Sequence, residues 1–278
     1  MSAKHRTYPH GVTCWIDTEQ PDLDAAGRFY SGLFGWTLAD ASPGGPRPYL
    51  IATLDGKDVG AITSATAEGP AQWNTYVSVD DADAASSDVT TGGGKVVSAP
   101  AEAGFGARTA ACVDPAGAEF RIWQARKRFG AQHINAPGGW NFSDLHTPDL
   151  DAALAFYTPL FGWRAVAIEG AGTMLQVPGY GDHLAATTDP DIYERQSGAP
   201  PGFADVIGGL AITAPGEPAH WHVTFAVADR DESAATAERL GATVVTSADD
   251  MWTKHALLRD PQGAEFTVSQ FAPSKGDW

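Results

Sequence analysis

The sequence contains one fifteen-residue segment twice, and this repeat limits the folds that the chain can adopt. The first copy, DLDAAGRFYSGLFGW, covers residues 22–36, and the second, DLDAALAFYTPLFGW, covers residues 149–163. The offset is constant, since Tyr157 follows Tyr30 by 157 − 30 = 127 residues and Trp163 follows Trp36 by 163 − 36 = 127. A repeat on this scale indicates that one structural unit is written twice in the chain.

Two further pairs of segments repeat in the same order. The segment WNTYVSVDDADAASS from Trp73 matches WHVTFAVADRDESAA from Trp221, and DPAGAEFRIWQ from Asp114 matches DPQGAEFTVSQ from Asp260. These offsets are 221 − 73 = 148 and 260 − 114 = 146, larger than 127, so the second half contains an insertion. Its Pro- and Gly-rich composition predicts a long loop over about 189–215, and loops of that length are usually functional or mobile.

Composition limits the classes of partner. A chain of 278 residues with 43% hydrophobic residues and a formal net charge of −16 suits two folded domains and repels phosphate backbones and anionic lipid. Cys14 and Cys112 are far apart with no Cys/His cluster, and the N-terminus has no apolar signal segment. We therefore expect a cytoplasmic monomer or homodimer that binds neither nucleic acid nor membrane.

Hydrophobic periodicity predicts four modules, each a strand, a helix and three further strands. In the first module Asp22 is the expected helix N-cap and Gly35 the expected helix end. In the third module the strands after the helix are expected near 165–168, 174–177 and 183–186. The first half ends near Arg126.

The repeated motifs resemble those of the vicinal oxygen chelate superfamily, which includes glyoxalase I, extradiol dioxygenases and bleomycin-resistance proteins. The resemblance covers nearly the whole chain, and the chain is most similar to two-domain actinobacterial glyoxalase-like proteins, which are often labelled hydroxylases. It implies an α+β fold in which four βαβββ modules form two glyoxalase-like open barrels in tandem. The expected domains are 1–126 and 140–278, joined by a linker at 127–139.

The resemblance also implies where a divalent metal would bind. In the family's metal enzymes the ligands lie on the first and last strands, seven residues before the Asp that opens the helix and seven after the Asp of DPxG. The matching positions here are Trp15, Asn74, Phe142, His222, Arg121 and Thr267. Only His222 is a normal metal ligand, so we expect that the inherited metal site is lost and that the protein needs no metal or other cofactor.

Strand alternation predicts which side chains face the two barrel cavities. In the first half these are Trp15, Asp17, Asn74, Tyr76, Glu119, Arg121 and Trp123. In the second half they are Phe142, Asp144, His146, His222, Thr224, Glu265, Thr267 and Ser269. The first set suits a planar organic ligand held by stacking and directed hydrogen bonds. Alternatively, its aromatic rings fill the barrel, and Asp17 pairs with Arg121 as a structural ion pair.

The sequence is compatible with three functions. The first is a metal-free protein that binds a small organic molecule, for sequestration or delivery in secondary metabolism or detoxification, with its main site in the first half. The second is a lyase, isomerase or hydroxylase-like enzyme in which Asp144, His146 and His222 are the catalytic acid/base groups. These three residues are also where a metal site outside the family pattern would lie. The third is a closed interaction scaffold.

Overall fold

The computed structural model describes residues 5–45, 47–65, 71–104 and 106–273 and contains the four expected modules. The first comprises β1 (Thr13–Gln20), α1 (Leu23–Phe34), β2 (Thr37–Asp40), β3 (Tyr49–Leu54) and β4 (Lys57–Ser64). The second comprises β5 (Gln72–Ser78), α2 (Ala82–Thr91), β6 (Lys95–Ala103), β7 (Ala107–Val113) and β8 (Glu119–Ala125).

The second half follows the same plan with one enlargement. The third module comprises β9 (Trp140–Thr147), α3 (Leu150–Phe161), β10 (Arg164–Ile168), β11 (Gly172–Gln176), α4 (Tyr180–Thr187), α5 (Ile192–Arg195), a 3-10 helix (Phe203–Asp205) and β12 (Val206–Ile212). The fourth comprises β13 (His220–Ala226), α6 (Arg230–Arg239), β14 (Thr243–Asp249), β15 (Thr253–Arg259) and β16 (Glu265–Phe271).

The strands form two eight-stranded sheets, one from each half. Their orders are β2-β3-β4-β1-β5-β8-β7-β6 and β10-β11-β12-β9-β13-β16-β15-β14. In every module the first strand pairs in parallel with the last, whereas the hairpin strands pair antiparallel. The expected α+β fold, with two tandem glyoxalase-like domains and open sheets, is confirmed.

An aspartate begins the main helix of each module. Asp22 accepts a hydrogen bond from the backbone N–H of Ala25, and Asp81, Asp149 and Asp229 cap their helices in the same way. Such a cap satisfies N–H groups that have no partner inside the helix. No helix within the described ranges is long and apolar enough to cross a membrane.

The prediction of a third strand at 183–186 was wrong, because these residues lie in α4. The strand is β12, in the second part of the 189–215 segment that was predicted to be a loop. Its Gly208 resembles a loop residue in sequence, but it lies against β9, where an added Cβ would overlap the backbone oxygen of Ser143. A glycine inside a strand often marks such a close backbone approach.

The packing of the chain defines two compact units, each built from modules of both halves. Of the described residues, unit 1 contains those up to Trp15, within Thr75–Gly130 and within Ser143–Trp221, and so includes most of the second and third modules. Unit 2 contains those within Ile16–Asn74, within Ala131–Phe142 and from His222 onward. The predicted division at 126 and 139 follows the sequence repeat, whereas these units follow the packing.

The repeated motifs build the interior of each unit. In unit 2 the Tyr30 hydroxyl donates to the buried carboxylate of Asp260 at 2.8 Å, and its ring stacks on Trp36 with centroids 5.7 Å apart. In unit 1 Tyr157 donates to Asp114 at 3.1 Å and stacks on Trp163 at 4.8 Å. The Phe-Tyr motif of one module is thus fixed to the Asp-Pro-x-Gly turn of another.

Candidate functional site

Strand β9 carries two sequence-predicted site residues, Asp144 and His146, on one face in unit 1. The Asp144 carboxylate accepts a hydrogen bond from the backbone N–H of Gly209 on β12, with a distance of 2.7 Å to Oδ1. Among the described residues none donates to Oδ2, and the side chain is only partly buried. Burial raises the pKa of Asp144 to about 6, and the Gly209 hydrogen bond opposes that rise.

Asp17 occupies the equivalent position of the repeat, since 144 − 17 = 127, but its surroundings in unit 2 are different. Its side chain is 2% exposed. Its two oxygens accept hydrogen bonds from the Tyr49 hydroxyl at 2.9 Å and from the Asn74 amide at 2.8 Å. Both carboxylate oxygens of Asp17 therefore accept hydrogen bonds inside unit 2, whereas Oδ2 of Asp144 can still accept one from a ligand.

The sequence explains this difference between the two carboxylates. Asp17 pairs in register with Ala61, whereas the residue beside Asp144 is Gly209, where a Cβ would lie 2.5 Å from Oδ1 of Asp144. The glycine lets the carboxylate reach the backbone N–H. Asn74 is replaced in the repeat by His222, since 222 − 74 = 148, so the amide that holds Asp17 has no counterpart.

We expect Asp144→Asn to stabilise the protein at neutral pH and to have little effect at acidic pH. The folded pKa of about 6 exceeds the ordinary 3.8, so the unfolded state loses this proton first as the pH rises. The ionised Asp144 therefore lowers the stability increasingly between these values and fully above pH 6. The expected gain is about 1 to 2 kcal/mol at pH 7.5.

The measurement is urea denaturation of the wild type and Asp144→Asn at pH 4 and 7.5, in chelator. Asp17→Asn is the matched comparison at the equivalent position, and we expect it to destabilise the protein because it alters two buried hydrogen bonds. A gain in stability from Asp144→Asn that is equal at both pH values would contradict the raised pKa of Asp144.

His146 belongs to a cluster in unit 1 with His220 and Glu217. The two imidazole rings stack with centroids 4.7 Å apart and an interplanar angle of 25°. Glu217 Oε1 lies 3.8 Å from His220 Nε2. Burial lowers the pKa of His146, the neighbouring His220 lowers it further, and Glu217 raises it. A neutral His146 is therefore favoured.

His222 lies in unit 2, at the beginning of β13. Its Nε2 makes a 2.8 Å hydrogen bond with the Thr267 hydroxyl on β16. Thr224 and Ser269 follow two residues later on each strand and are buried. Phe142 is half-buried, whereas Glu265 is exposed and forms a salt bridge with Arg259 at 2.6 Å.

The aromatic residues that were expected to line the first cavity lie in unit 1 and pack on one another. The rings of Trp15 and Trp123 are 5.3 Å apart, and Tyr76 meets Trp123 edge-on at 5.6 Å. Trp15 and Trp123 are 0% exposed. Arg121 is half-buried opposite Tyr76 in the strand register, and Glu119 is exposed. The sequence also allowed the alternative that these rings fill the interior instead of lining a cavity, and their burial agrees with that alternative.

Sequence reasoning missed Glu217 and His220. Glu217 lies in a Pro-Gly-Glu-Pro segment that begins where the predicted insertion ends, and it was given no role; His220 was not considered because it precedes the family position at His222 by two residues. The available signal was the alternation His220-x-His222, which places both imidazoles on one face of a strand.

The comparisons with known proteins agree with this architecture. The sequence model described as "Glyoxalase-like domain" matches residues 142–269, and that of the "Glyoxalase/Bleomycin resistance protein/Dioxygenase superfamily" matches residues 20–122. "Putative glyoxylase CFP32" of Mycobacterium tuberculosis is 37% identical over 280 residues, covering 98% of this chain and 99% of that protein. The chain belongs to the glyoxalase/bleomycin resistance protein/dioxygenase superfamily.

Other proteins that are similar to this chain in sequence or in fold carry different names. "Anthracycline biosynthesis protein DnrV" of Streptomyces peucetius is 33% identical over 275 residues, covering 93% of this chain and 92% of that protein. The Mn(II)-bound glyoxalase of Novosphingobium aromaticivorans shares the fold, with a TM-score of 0.59, 16% identity and coverage of 94% and 82% of the two chains. The 2,3-dioxygenase LapB of Pseudomonas sp. KL28 has a TM-score of 0.60 at 14% identity, with 97% and 96% covered.

The residues at the superfamily's metal positions do not fit a divalent metal. Trp15 and Phe142 offer no lone pair, and the guanidinium of Arg121 would repel a cation. In unit 2, His222 faces the neutral hydroxyl of Thr267, at the position where the family's metal enzymes have a carboxylate. A single imidazole with a hydroxyl lacks the anionic ligands and the coordination number that such sites use.

Proposed function

We propose that the protein binds a small planar organic molecule at the strand face that carries Asp144, without a metal at the superfamily's metal positions. The observation that carries this proposal is the carboxylate of Asp144, whose Oδ2 receives no hydrogen bond from the described residues. An ionised carboxylate makes a strong, directed hydrogen bond to an O–H or N–H group of a ligand. Binding would serve sequestration or delivery, in secondary metabolism or detoxification.

Two comparisons support this choice of ligand class. The relative DnrV is named for anthracycline biosynthesis, and so is the relative DauV of Streptomyces sp. strain C5, which is 30% identical over 275 residues. Anthracyclines are planar aromatic molecules that carry hydroxyl groups, which can donate to a carboxylate. We place the main site in the second half, because the aromatic residues of the first half are buried against one another.

The test is a fluorescence titration of an anthracycline aglycone with the full chain in chelator-containing buffer at pH 7.5. We expect saturable binding of one molecule per chain and an affinity at least about tenfold lower in Asp144→Asn, because a charge-assisted hydrogen bond is lost. Glu217→Gln is the matched control, since it removes one negative charge from the same unit. No saturable binding, or equal affinity in Asp144→Asn, would exclude this site.

The alternative function is enzymatic, a lyase, isomerase or hydroxylase-like reaction in which Asp144 and His146 of unit 1 act as the acid/base groups; His222, the third group predicted from the sequence, belongs to unit 2. The folded pKa of about 6 for Asp144 favours it, because a general acid or base works best near the operating pH. Mass spectrometry of the bound molecule after incubation distinguishes the two functions. Conversion that His146→Ala abolishes supports the enzyme, and unchanged ligand supports a binding protein.

A further inference from the structure

The loop between β12 and β13 brings together three side chains that can bind a metal. His146 near the end of β9 pairs in register with Ala211 of β12, and Glu217 and His220 follow from the next seven-residue loop and the start of β13. One nitrogen or oxygen atom from each of the three lies within 4.8 Å of the others. All three belong to unit 1.

Local hydrogen bonds orient two of these side chains. His220 Nδ1 lies 3.0 Å from the carbonyl oxygen of Pro218, which can only accept, so Nδ1 carries the proton. Nε2 is then the ring nitrogen that can bind a metal, and it faces Glu217. Such a hydrogen bond on the second ring nitrogen is typical of histidines that bind metals.

Glu217 is held by the turn that it closes. Its Oε2 accepts a hydrogen bond from the backbone N–H of Ala214 at 2.7 Å, and its own N–H donates to the carbonyl oxygen of Ala214 at 3.0 Å. Oε1 is left facing His220 Nε2 at 3.8 Å. The negative charge and the imidazole lone pair therefore converge on one point, which is a favourable position for a cation.

We propose that His146, Glu217 and His220 form a binding site for Zn²⁺ or a similar late first-row divalent metal. Two imidazoles and one carboxylate are a ligand set that zinc uses when one coordination position stays open. Tetrahedral ligands at zinc distances are about 3.4 Å apart, so the present 3.8 Å between Glu217 and His220 needs only a small contraction. Because the two rings are stacked, His146 must also turn about χ2 so that its lone pair points to the metal, while His220 keeps its hydrogen bond to Pro218.

This site is distinct from the metal positions of the superfamily, and its existence does not depend on the proposed organic ligand. On the strands that carry those positions, His146 is four residues beyond Phe142 and His220 is two residues before His222. Imidazole ligands favour zinc, nickel, cobalt or copper over magnesium or calcium, which prefer oxygen.

The test is calorimetric titration of the chelator-treated full chain with zinc, and visible absorption spectroscopy with cobalt(II) as a second readout. We expect one zinc per chain, with affinity at least about tenfold lower in Glu217→Gln and in His220→Gln. His133→Gln is the matched control, because His133 also bonds to a proline carbonyl, that of Pro137 at 3.2 Å. It should bind zinc like the wild type.

Two results would overturn the proposal: no saturable zinc binding, or wild-type affinity in both Glu217→Gln and His220→Gln. Circular dichroism of both variants checks that they fold, which is expected because the two side chains are about one-third exposed. Asp144→Asn separates this proposal from the proposed function, since it should retain zinc while losing the organic ligand. The Glu217→Gln variant should bind the organic ligand like the wild type and bind zinc more weakly.

Discussion

Replacing Gly11 by alanine is expected to lower the free energy of unfolding by about 3 to 4 kcal/mol. Gly11 has a φ of +85°, and an alanine Cβ at this position would overlap the backbone oxygen of Phe161. Its carbonyl also accepts the indole N–H of Trp163 at 2.6 Å, and its N–H donates to the carbonyl oxygen of Ser78. A backbone atom cannot move aside as a side chain can, so the overlap must displace the backbone around Phe161, at the end of helix α3.

Gly138 is the matched comparison, because it lies 138 − 11 = 127 residues further along the chain and accepts the Trp36 indole N–H at 2.7 Å. Its φ is +79°, but an added Cβ would lie 2.8 Å from a terminal methyl of Leu54 and 3.1 Å from the backbone oxygen of Phe34, the counterpart of Phe161, which is a tight contact and not an overlap. That methyl can move, so we expect Gly138→Ala to cost about 1 to 2 kcal/mol. Gly56→Ala, with a φ of +72° and nothing within 4 Å, isolates the backbone strain at about 1 kcal/mol.

Guanidinium denaturation followed by tryptophan fluorescence measures all three variants. The chain has two compact units, so the curves are first tested for more than one transition, and each transition that is resolved is fitted on its own. If Gly11→Ala unfolded at the same denaturant concentration as Gly56→Ala, the contact with Phe161 would not control stability.

The second large effect is expected for Asp260→Ala, which should lower the free energy of unfolding by about 3 to 5 kcal/mol. One oxygen of this buried carboxylate accepts hydrogen bonds from Gln20 Nε2 and the Tyr30 hydroxyl, both at 2.8 Å. The other accepts the backbone N–H groups of Gln262 and Ala264. Alanine leaves buried donors without a partner, and that costs more than the hydrogen bonds themselves contribute.

Asp114→Ala is the matched variant in unit 1. Asp114 accepts the Tyr157 hydroxyl and two turn N–H groups, but the residue equivalent to Gln20 is Thr147, whose hydroxyl donates to the Asp149 carbonyl instead. We expect its effect to be smaller by about 1 kcal/mol.

A double-mutant cycle checks the difference. Gln20→Ala and Asp260→Ala should be coupled by about 1 kcal/mol or more, whereas Thr147→Ala and Asp114→Ala should be nearly additive. Additivity in both pairs would contradict the role assigned to Gln20.

The repeat allowed the modules and their order to be predicted, because each module carries its own local signals. Asp22 caps α1 and Gly35 ends it with a φ of +75°, as the spacing of the motif indicates. The pairing of modules was not predictable in this way. Tyr30 lies 230 residues from its partner Asp260, and the local sequence around Asp114 is nearly the same. The choice between the two partners depends on the packing of whole modules.

Two other features could not be predicted from the sequence because they depend on contacts between distant segments. Gly208 and Gly209 were part of a segment predicted to be a loop, but both lie in β12. Gly208 allows β12 to approach β9 closely, and Gly209 allows the Asp144 carboxylate to reach its backbone N–H. The proximity of Glu217 to His146 depends on the turn at Ala214, which joins positions that are 71 residues apart. Strand alternation placed Asp144 and His146 on one face but gave no information about that turn.

The central claim is that the protein keeps the superfamily's fold without its metal centre, and the most direct test is the metal content of the purified chain. The protein is stripped with chelator, reloaded with zinc, dialysed and examined by elemental analysis as wild type, His222→Gln and His220→Gln. We predict that His222→Gln retains the metal content of the wild type and that His220→Gln loses it. Metal that disappears with His222→Gln and remains with His220→Gln would contradict the account and place a metal at the superfamily's position.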